Sequence, residues 1–285
     1  MLTIFPLLPV AEGVSIQAQP MLKDVPWFTN SILVTIIVTI LILIFARRAT
    51  AKMKLVPTGS QNLFEAMVSG LYDTLEGIVG KHLIARTFPL LATIFIFILT
   101  ANWFGLLPGV GTIGFGEITG PLRSLKEVEH PLLRPPNADL NMTLAMAALF
   151  MLVWVWWTLT VTGPIQFLKH TFMPKGEMKG LFWLGMLPIF LFVGVVETVS
   201  ILIRPISLSM RLFGNVFAGE SLLHTMGTLG DALPAPLNHI LSVVLPLPFY
   251  FLELLVGLVQ ALVFMLLCTV YVQLSTAHDE EEHHH

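Results

Sequence analysis

The chain has 285 residues, of which 55% are hydrophobic and only 12% are charged. Soluble domains carry about 25% charged residues, so this composition excludes a water-soluble globular protein and predicts an integral membrane protein. The formal net charge of −3 excludes the basic surface that nucleic-acid binding requires. The single cysteine, Cys268, has no second cysteine to pair with, so it is interpreted as a small apolar side chain.

The N-terminal part of the chain predicts one spanning helix and one amphipathic helix. Residues 25–46 carry no charge and are long enough to cross a bilayer, which takes about 20 residues. Thr58 and Gln61 then form a capping-box pattern at the start of a helix over residues 60–80, which has one apolar and one acidic side. We expect this second helix to lie in the membrane interface; the alternative is a cytoplasmic helix that packs on protein.

Two uncharged stretches, residues 87–108 and 141–162, predict a pair of spanning helices joined by a polar loop. Trp154, Trp156 and Trp157 lie near the end of the second stretch. Tryptophans are enriched where a helix leaves the bilayer, so they are interpreted as interfacial anchors.

The last two apolar runs, residues 181–226 and 239–275, are too long to cross a hydrocarbon core of about 30 Å upright. Each is either broken at its prolines or steeply tilted, and we favour tilt with some kinking. The prolines in question are Pro188, Pro205, Pro246 and Pro248. The predicted fold is therefore an all-α integral membrane protein, a single membrane domain over residues 1–285 with about five membrane segments and one interfacial helix.

The lysines and arginines predict the orientation. They are more numerous in residues 47–87 and 163–180 than in the N-terminal segment and residues 109–140. The richer side is expected to be cytoplasmic, with the N-terminus outside and the acidic C-terminus inside.

The last two segments carry polar and ionisable residues within apolar sequence. A charge at the centre of a bilayer costs at least about 2.5 kcal/mol, so such residues usually have a function, although acids and bases can also pair only to hold a bundle together. The candidates are Glu197, Arg204, Arg211, Asn215, Glu220, His224, Glu253 and Gln260.

Arg211 lies on a stripe of small residues. In RPISLSMRLFGNVFAGE, Ser207, Asn215 and Ala218 recur at helical spacing around it. Small side chains let another helix approach closely, and a guanidinium stays protonated even where it is poorly solvated. A carboxylate of a partner protein that passed this charge would have a lowered pKa and would release its proton.

The acids occupy other faces. Glu220 follows Arg211 by nine residues, which is about two and a half turns, so the two side chains lie on opposite sides of a helix. His224 shares the face of Glu220. Glu253 and Gln260 share one face of the last segment. We expect these groups to line a water-filled path for protons or another small cation, although His224 can equally be a structural histidine.

Glu197 lies on the predicted cytoplasmic part of the Arg211 segment, so one acid is expected on each side of the arginine. The sequence has no phosphate-binding or dinucleotide-binding motif and no metal-ligand spacing of His and Cys, so no cofactor, nucleotide or metal is expected.

These residues carry a family resemblance. RPISLSMRLFGNVFAGE and LVQALVFMLLCTVYV, supported by TANWFGLLPG and PPNADLNMTLAMA, resemble subunit a of rotary ATP synthases over nearly all of the chain beyond residue 30. The resemblance implies a non-enzymatic subunit of the cell inner membrane whose two long tilted helices embrace a ring of c subunits. Peripheral-stalk b subunits would be its other partner.

The resemblance also implies residue roles. Arg211 would face the ring carboxylate and block direct leakage. Asn215, Glu220 and Gln260 match positions of an outer half-channel, Glu197 matches an acid of the inner one, and Glu253 stands where some members have histidine. The ring partner decides whether the ion is H⁺ or Na⁺. The rival hypotheses are a self-contained transporter or channel, and a purely structural subunit whose charges only pair.

Overall fold

The computed structural model describes most of the chain: residues 18, 20–22, 25–107, 110, 114–115, 130–161, 163–172, 181–229, 237, 241 and 244–282. The expectations for the N-terminal segment, for most of the 109–140 loop and for Lys175 and Lys179 fall outside these residues. No side-chain position is described for Lys169 or for the acidic C-terminal segment.

The described chain is almost entirely helical, in agreement with the predicted all-α fold. Its helices are α1 (Asn30–Thr50), α2 (Ser60–Val79), α3 (Lys81–Gly105), α4 (Leu140–Val161), α5 (Pro164–Phe172), α6 (Leu181–Leu229) and α7 (Pro246–Glu282), with a 3₁₀ turn at Pro136–Ala138. Five of them, α1, α3, α4, α6 and α7, are long and apolar enough to cross a membrane. The prediction of an integral membrane protein with about five membrane segments is thereby confirmed.

Two short antiparallel hairpins are additional to the prediction. β1 (Pro20–Leu22) pairs with β2 (Val25–Thr29), and β3 (Gly114–Phe115) pairs with β4 (His130–Pro131). Because β2 occupies residues that were expected to be helical, α1 begins at Asn30 and not at Val25. The Thr29 hydroxyl caps the helix by accepting from the backbone N–H of Ile32 at 3.4 Å.

The start of α2 differs from the predicted capping box. The N-cap is Gly59, with φ of 60°, and no side chain caps the helix. The Gln61 amide instead accepts from the backbone N–H of Lys54 at 3.1 Å, and donates to the Lys54 carbonyl at 2.9 Å and to Glu65 at 2.7 Å. A residue inside the helix thus holds the linker between α1 and α2.

One side of α2 packs on protein. Leu71, Leu75 and Val79 are buried, and the helix contacts α3 and α7. Its location in the membrane interface stays a prediction.

The two longest helices are continuous. α6 runs through Pro188 and Pro205 without a break, so the structure contains a single long element there and not separate pieces. α7 begins at Pro246, where the missing backbone N–H costs nothing because the first turn of a helix has no partner for it.

A core of interlocking side chains joins the helices. α3 packs on α7, α4 packs on α6, and α6 packs on α7. Fully buried members are Leu75, Leu91, Ile98, Phe150, Leu212 and Phe264. Because lipid tails are as apolar as these side chains, close van der Waals packing must hold the bundle together, with the hydrophobic effect contributing little between helices.

Candidate functional site

Arg211 lies on the face of α6 that points away from the rest of the chain. Ser207, Gly214 and Ala218 on the same side are exposed, while Ser209, on the opposite side, is buried. Within the described part of the chain, Arg211 forms no hydrogen bond and no ion pair. Its guanidinium and the small side chains around it are therefore open to contact from another molecule.

One helical turn after Arg211, a hydrogen bond links α6 to α7. The Asn215 amide donates to Gln260 Oε1 at 2.7 Å. Gln260 is 4% exposed, so this bond lies where the two helices meet, and Asn215 continues the exposed face toward it. The structure thus brings together two candidates that the sequence placed on separate segments.

Gly219 is a functional candidate that sequence analysis missed. A Cβ atom at this position would collide with the carboxylate of Glu253. The absence of a side chain therefore lets the Glu253 carboxylate rest against the α6 backbone at Gly219. A glycine directly before the candidate acid Glu220, in FAGE, was the available signal.

Glu220 points into the protein, in contrast to Arg211. Its Oε2 atom is buried and has no hydrogen-bond partner among the described residues. The charges of Arg134 and His224 are close enough to act on it electrostatically. His224, which was expected to share this face, is mostly solvent-exposed in the isolated chain.

Arg134 is the second residue that sequence analysis missed. It is 4% exposed, and its Nη2 atom donates to the Ala138 carbonyl at 3.0 Å. Burial lowers the pKa of Arg134 below its usual value, while the negative charges of Glu220 and Asp139 act in the opposite direction. The sequence signal for Arg134 was its position directly before the PPNADLN motif.

The Glu197 end of α6 has its own cluster. Arg204 Nη2 lies 3.2 Å from Glu197 Oε1. The Arg204 guanidinium carbon lies 4.9 Å from the centre of the Tyr271 ring and 5.8 Å from that of Trp154. Both distances fit cation–π contacts, so Arg204 is neutralised within its own chain.

Trp154 corrects one prediction. It was expected to be an interfacial anchor, but it is only 3% exposed, and its indole N–H donates to the Tyr271 carbonyl at 2.9 Å. It joins α4 to α7 because a buried indole requires a hydrogen-bond acceptor. Trp156, which is 65% exposed, is placed as an anchor would be.

The described residues offer no metal site, since no three His, Cys, Asp or Glu side chains among them converge. What the arrangement can do is proton transfer: α6 carries Glu220, α7 brings the Glu253 carboxylate against Gly219 of α6, and a permanent cation, Arg211, lies on another face of α6.

The sequence of the chain is similar to those of a family of known proteins. The family described as ATP synthase A chain matches residues 31–273. ATP synthase subunit a of Trichlorobacter lovleyi is 31% identical over 95% of this chain and 96% of its own length. The subunits a of Geobacter sulfurreducens and Campylobacter fetus are each 32% identical over 86% of this chain, covering 86% and 89% of their lengths.

Proposed function

Since the chain belongs to the ATP synthase A chain family, we propose that it is the proton-translocating stator subunit of an ATP synthase membrane sector, with Arg211 facing a rotating ring of c subunits. The chain does not catalyse ATP synthesis by itself. Its proposed task is to load protons onto the ring on one side of the membrane and unload them on the other.

The exposure of Arg211 is the observation that carries this proposal. An arginine in an apolar face, without an ion pair among the described residues, is unfavourable unless another molecule supplies the counter-charge. A ring carboxylate is such a counter-charge. The small residues around Arg211 allow a partner helix to come close.

The proposed outer half-channel lies between the C-terminal part of α6 and the start of α7. Gly219 leaves room there for the Glu253 carboxylate against the α6 backbone, one position before Glu220 in the chain. The Asn215–Gln260 hydrogen bond lies between these acids and Arg211 along α6. A proton would pass by way of Glu220 and Glu253, with His224 near the entrance, and would protonate a ring carboxylate.

The proposed inner half-channel starts near Glu197. This acid is about half exposed and bonds to Arg204, which fixes its position at the other end of α6. A ring site that returns after nearly a full rotation would release its proton there. Arg211 then meets the resulting carboxylate and prevents protons from passing directly between the two paths.

The charge of the ring carboxyl decides whether a ring site can move into the lipid. A ring carboxyl that has accepted a proton is neutral and can enter lipid, whereas an ionised one cannot, because burying the charge is too costly. Each proton that crosses 100 mV supplies about 2.3 kcal/mol, so several transfers are needed for one ATP made in the soluble sector.

The remaining parts of the proposal are the orientation and the second partner. We place the protein in the inner membrane of the cell. Its N-terminus would lie outside and its C-terminus in the cytoplasm. Peripheral-stalk b subunits would hold the chain against rotation of the ring. The ring carboxyl, which another chain supplies, would decide between H⁺ and Na⁺.

The decisive test is Arg211→Ala in membrane vesicles that carry the complete synthase. We expect proton-driven ATP synthesis to fall below detection while the complex still assembles. Arg86→Ala is the matched control, because Arg86 is exposed on α3 and, among the described residues, donates to Thr160 Oγ1 at 2.9 Å. Synthesis near the wild-type rate in assembled Arg211→Ala complexes would contradict the proposal.

Cross-linking tests the partner. A cysteine at Ser207, in a chain whose buried Cys268 is replaced by alanine, should cross-link to a small ring subunit in native membranes. A self-contained transporter would give no such product. It would instead move protons with saturable kinetics when the purified chain alone is placed in liposomes.

A further inference from the structure

The segment Arg134–Asp139, before α4, is an unusual loop because all six of its residues are buried. Connecting segments normally lie on the surface, where water satisfies their backbone polar groups. This one, which contains the 3₁₀ turn, packs against α1, α3, α4 and α6. It therefore forms an internal wedge among the membrane helices.

Polar side chains hold the wedge in place. The Asn137 amide donates to Asn102 Oδ1 at 2.7 Å and to the Ile98 carbonyl at 3.4 Å. Asn102 in turn donates to the Gly257 carbonyl of α7 at 3.0 Å. Asp139 Oδ1 accepts from the backbone N–H of Asn141 and so caps α4. The wedge is thus fixed directly to α3 and α4, and through Asn102 of α3 to α7.

Arg134 belongs to a segment that packs on α6, the helix that carries Glu220, and the charges of the two groups interact. The guanidinium stays protonated, and its Nη2 is oriented by the Ala138 carbonyl. Glu220 Oε2 is buried and accepts no hydrogen bond from the described residues, so its negative charge needs compensation from elsewhere. Arg134 is itself buried in the wedge that packs against α6, so its charge can supply part of that compensation.

We propose that Arg134 is a positioning residue for proton transfer at Glu220: the buried wedge holds a permanent positive charge that compensates the Glu220 carboxylate between two proton transfers. This inference rests on the proposed function of the chain. Arg134 itself neither accepts nor donates the transported proton. Other ionisable groups face this site too: Asp139 from the wedge, His224 from α6, and Glu253 from α7 beside Gly219.

The alternative is that Arg134 only holds the wedge together through the Ala138 carbonyl. The two roles differ in what the charge does. If Arg134 acts on Glu220, a neutral substitute makes the Glu220 carboxyl release its proton less readily, and conduction recovers when the pH on that side is raised. If the role is only structural, the amount of assembled complex changes and the pH profile does not.

The experiment measures passive proton conduction as a function of pH in vesicles that contain the assembled membrane sector, per assembled complex. For Arg134→Met we expect conduction to fall about tenfold at neutral pH and to recover at higher pH. This loss is smaller than the effect of removing a group that itself transfers the proton. Arg134→Lys, which keeps the charge, should remain close to wild type. Asn137→Ala is the matched control, since it loosens the wedge without removing a charge, and should lower assembly without shifting the pH profile.

Arg134→Gln is the second variant, because its amide can still donate to the Ala138 carbonyl; the same loss and recovery are expected. Wild-type conduction and an unshifted profile in either neutral variant would overturn the inference. If neither accumulates, adding Glu220→Gln should restore assembly, and failure to do so would also overturn it. Absence of conduction in wild-type vesicles would instead refute the proposed function.

Discussion

Arg204 and Arg211 lie seven residues apart on α6, yet their surroundings are opposite. Arg204 bonds to Glu197 at 3.2 Å and lies over the rings of Tyr271 and Trp154. Arg211 has no ion pair or hydrogen bond in the described part of the chain and lies among exposed small residues. The same residue type on the same helix is neutralised in one place and left available in the other.

The difference comes from the neighbouring helices. α4 and α7 bring aromatic rings to Arg204, whereas no described helix covers Arg211. An arginine that is paired within its own chain holds the bundle together. An arginine that is exposed in an apolar face requires a partner from outside the chain.

The largest expected effect tests the difference between Arg211 and Arg204 directly. Arg211→Ala is expected to lower ATP synthesis per assembled complex at least about 100-fold, the scale seen when a preorganised charge is removed from a reacting group. Arg204→Ala should mainly reduce the amount of complex. Both quantities are measured on the same membranes, by synthesis rate and by quantifying the subunit. Equal losses per complex would show that the two arginines do not differ in role.

The next effect concerns Gly219. Gly219→Ala places a methyl group where the Glu253 carboxylate lies, and overpacking of this kind costs about 1–3 kcal/mol, so proton conduction should fall about tenfold. Gly227→Ala on the same helix meets nothing within 4 Å and is the control. Combining Gly219→Ala with the shorter acid in Glu253→Asp should recover part of the loss. Unchanged conduction in Gly219→Ala would separate Glu253 from the path.

A smaller effect is expected at the bond between α6 and α7. Asn215→Ala and Gln260→Ala should each reduce conduction a few-fold, and the double variant should be little worse than either single one, because each removes the same 2.7 Å hydrogen bond. The measurement is a double-mutant cycle on conduction rates. Fully additive losses would mean that the two amides act independently.

The smallest effect should appear at the Arg204 cluster. Trp154→Phe removes the hydrogen bond to the Tyr271 carbonyl and is expected to cost about 1 kcal/mol of stability. Proton conduction at neutral pH should stay near wild type, since Arg211 is not affected. The loss is read from the thermal midpoint of the detergent-solubilised complex. A large loss of conduction at unchanged stability would show that Trp154 itself takes part in proton transfer and is not only structural.

Sequence reasoning succeeded where the signal was local. Apolar runs identified all five candidate spanning helices, and helical periodicity placed Arg211 and Glu220 on opposite faces of α6, as their exposure shows. It failed at Trp154, because a tryptophan near a helix end looks the same whether lipid or α7 lies beside it. It also predicted a capping box at Thr58 and Gln61, whereas the N-cap is Gly59 and Gln61 bonds to the linker between α1 and α2.

The amino-acid sequence alone determined that this is a membrane protein, how many long helices it has, and which residues share a face of each helix, because length, hydropathy and helical period are properties of neighbouring residues. Only the tertiary structure decided which faces meet. Asn215 and Gln260 are 45 positions apart, and Arg134 acts on Glu220 electrostatically from a loop far away in the sequence. Such pairings depend on how helices pack, which no local pattern records.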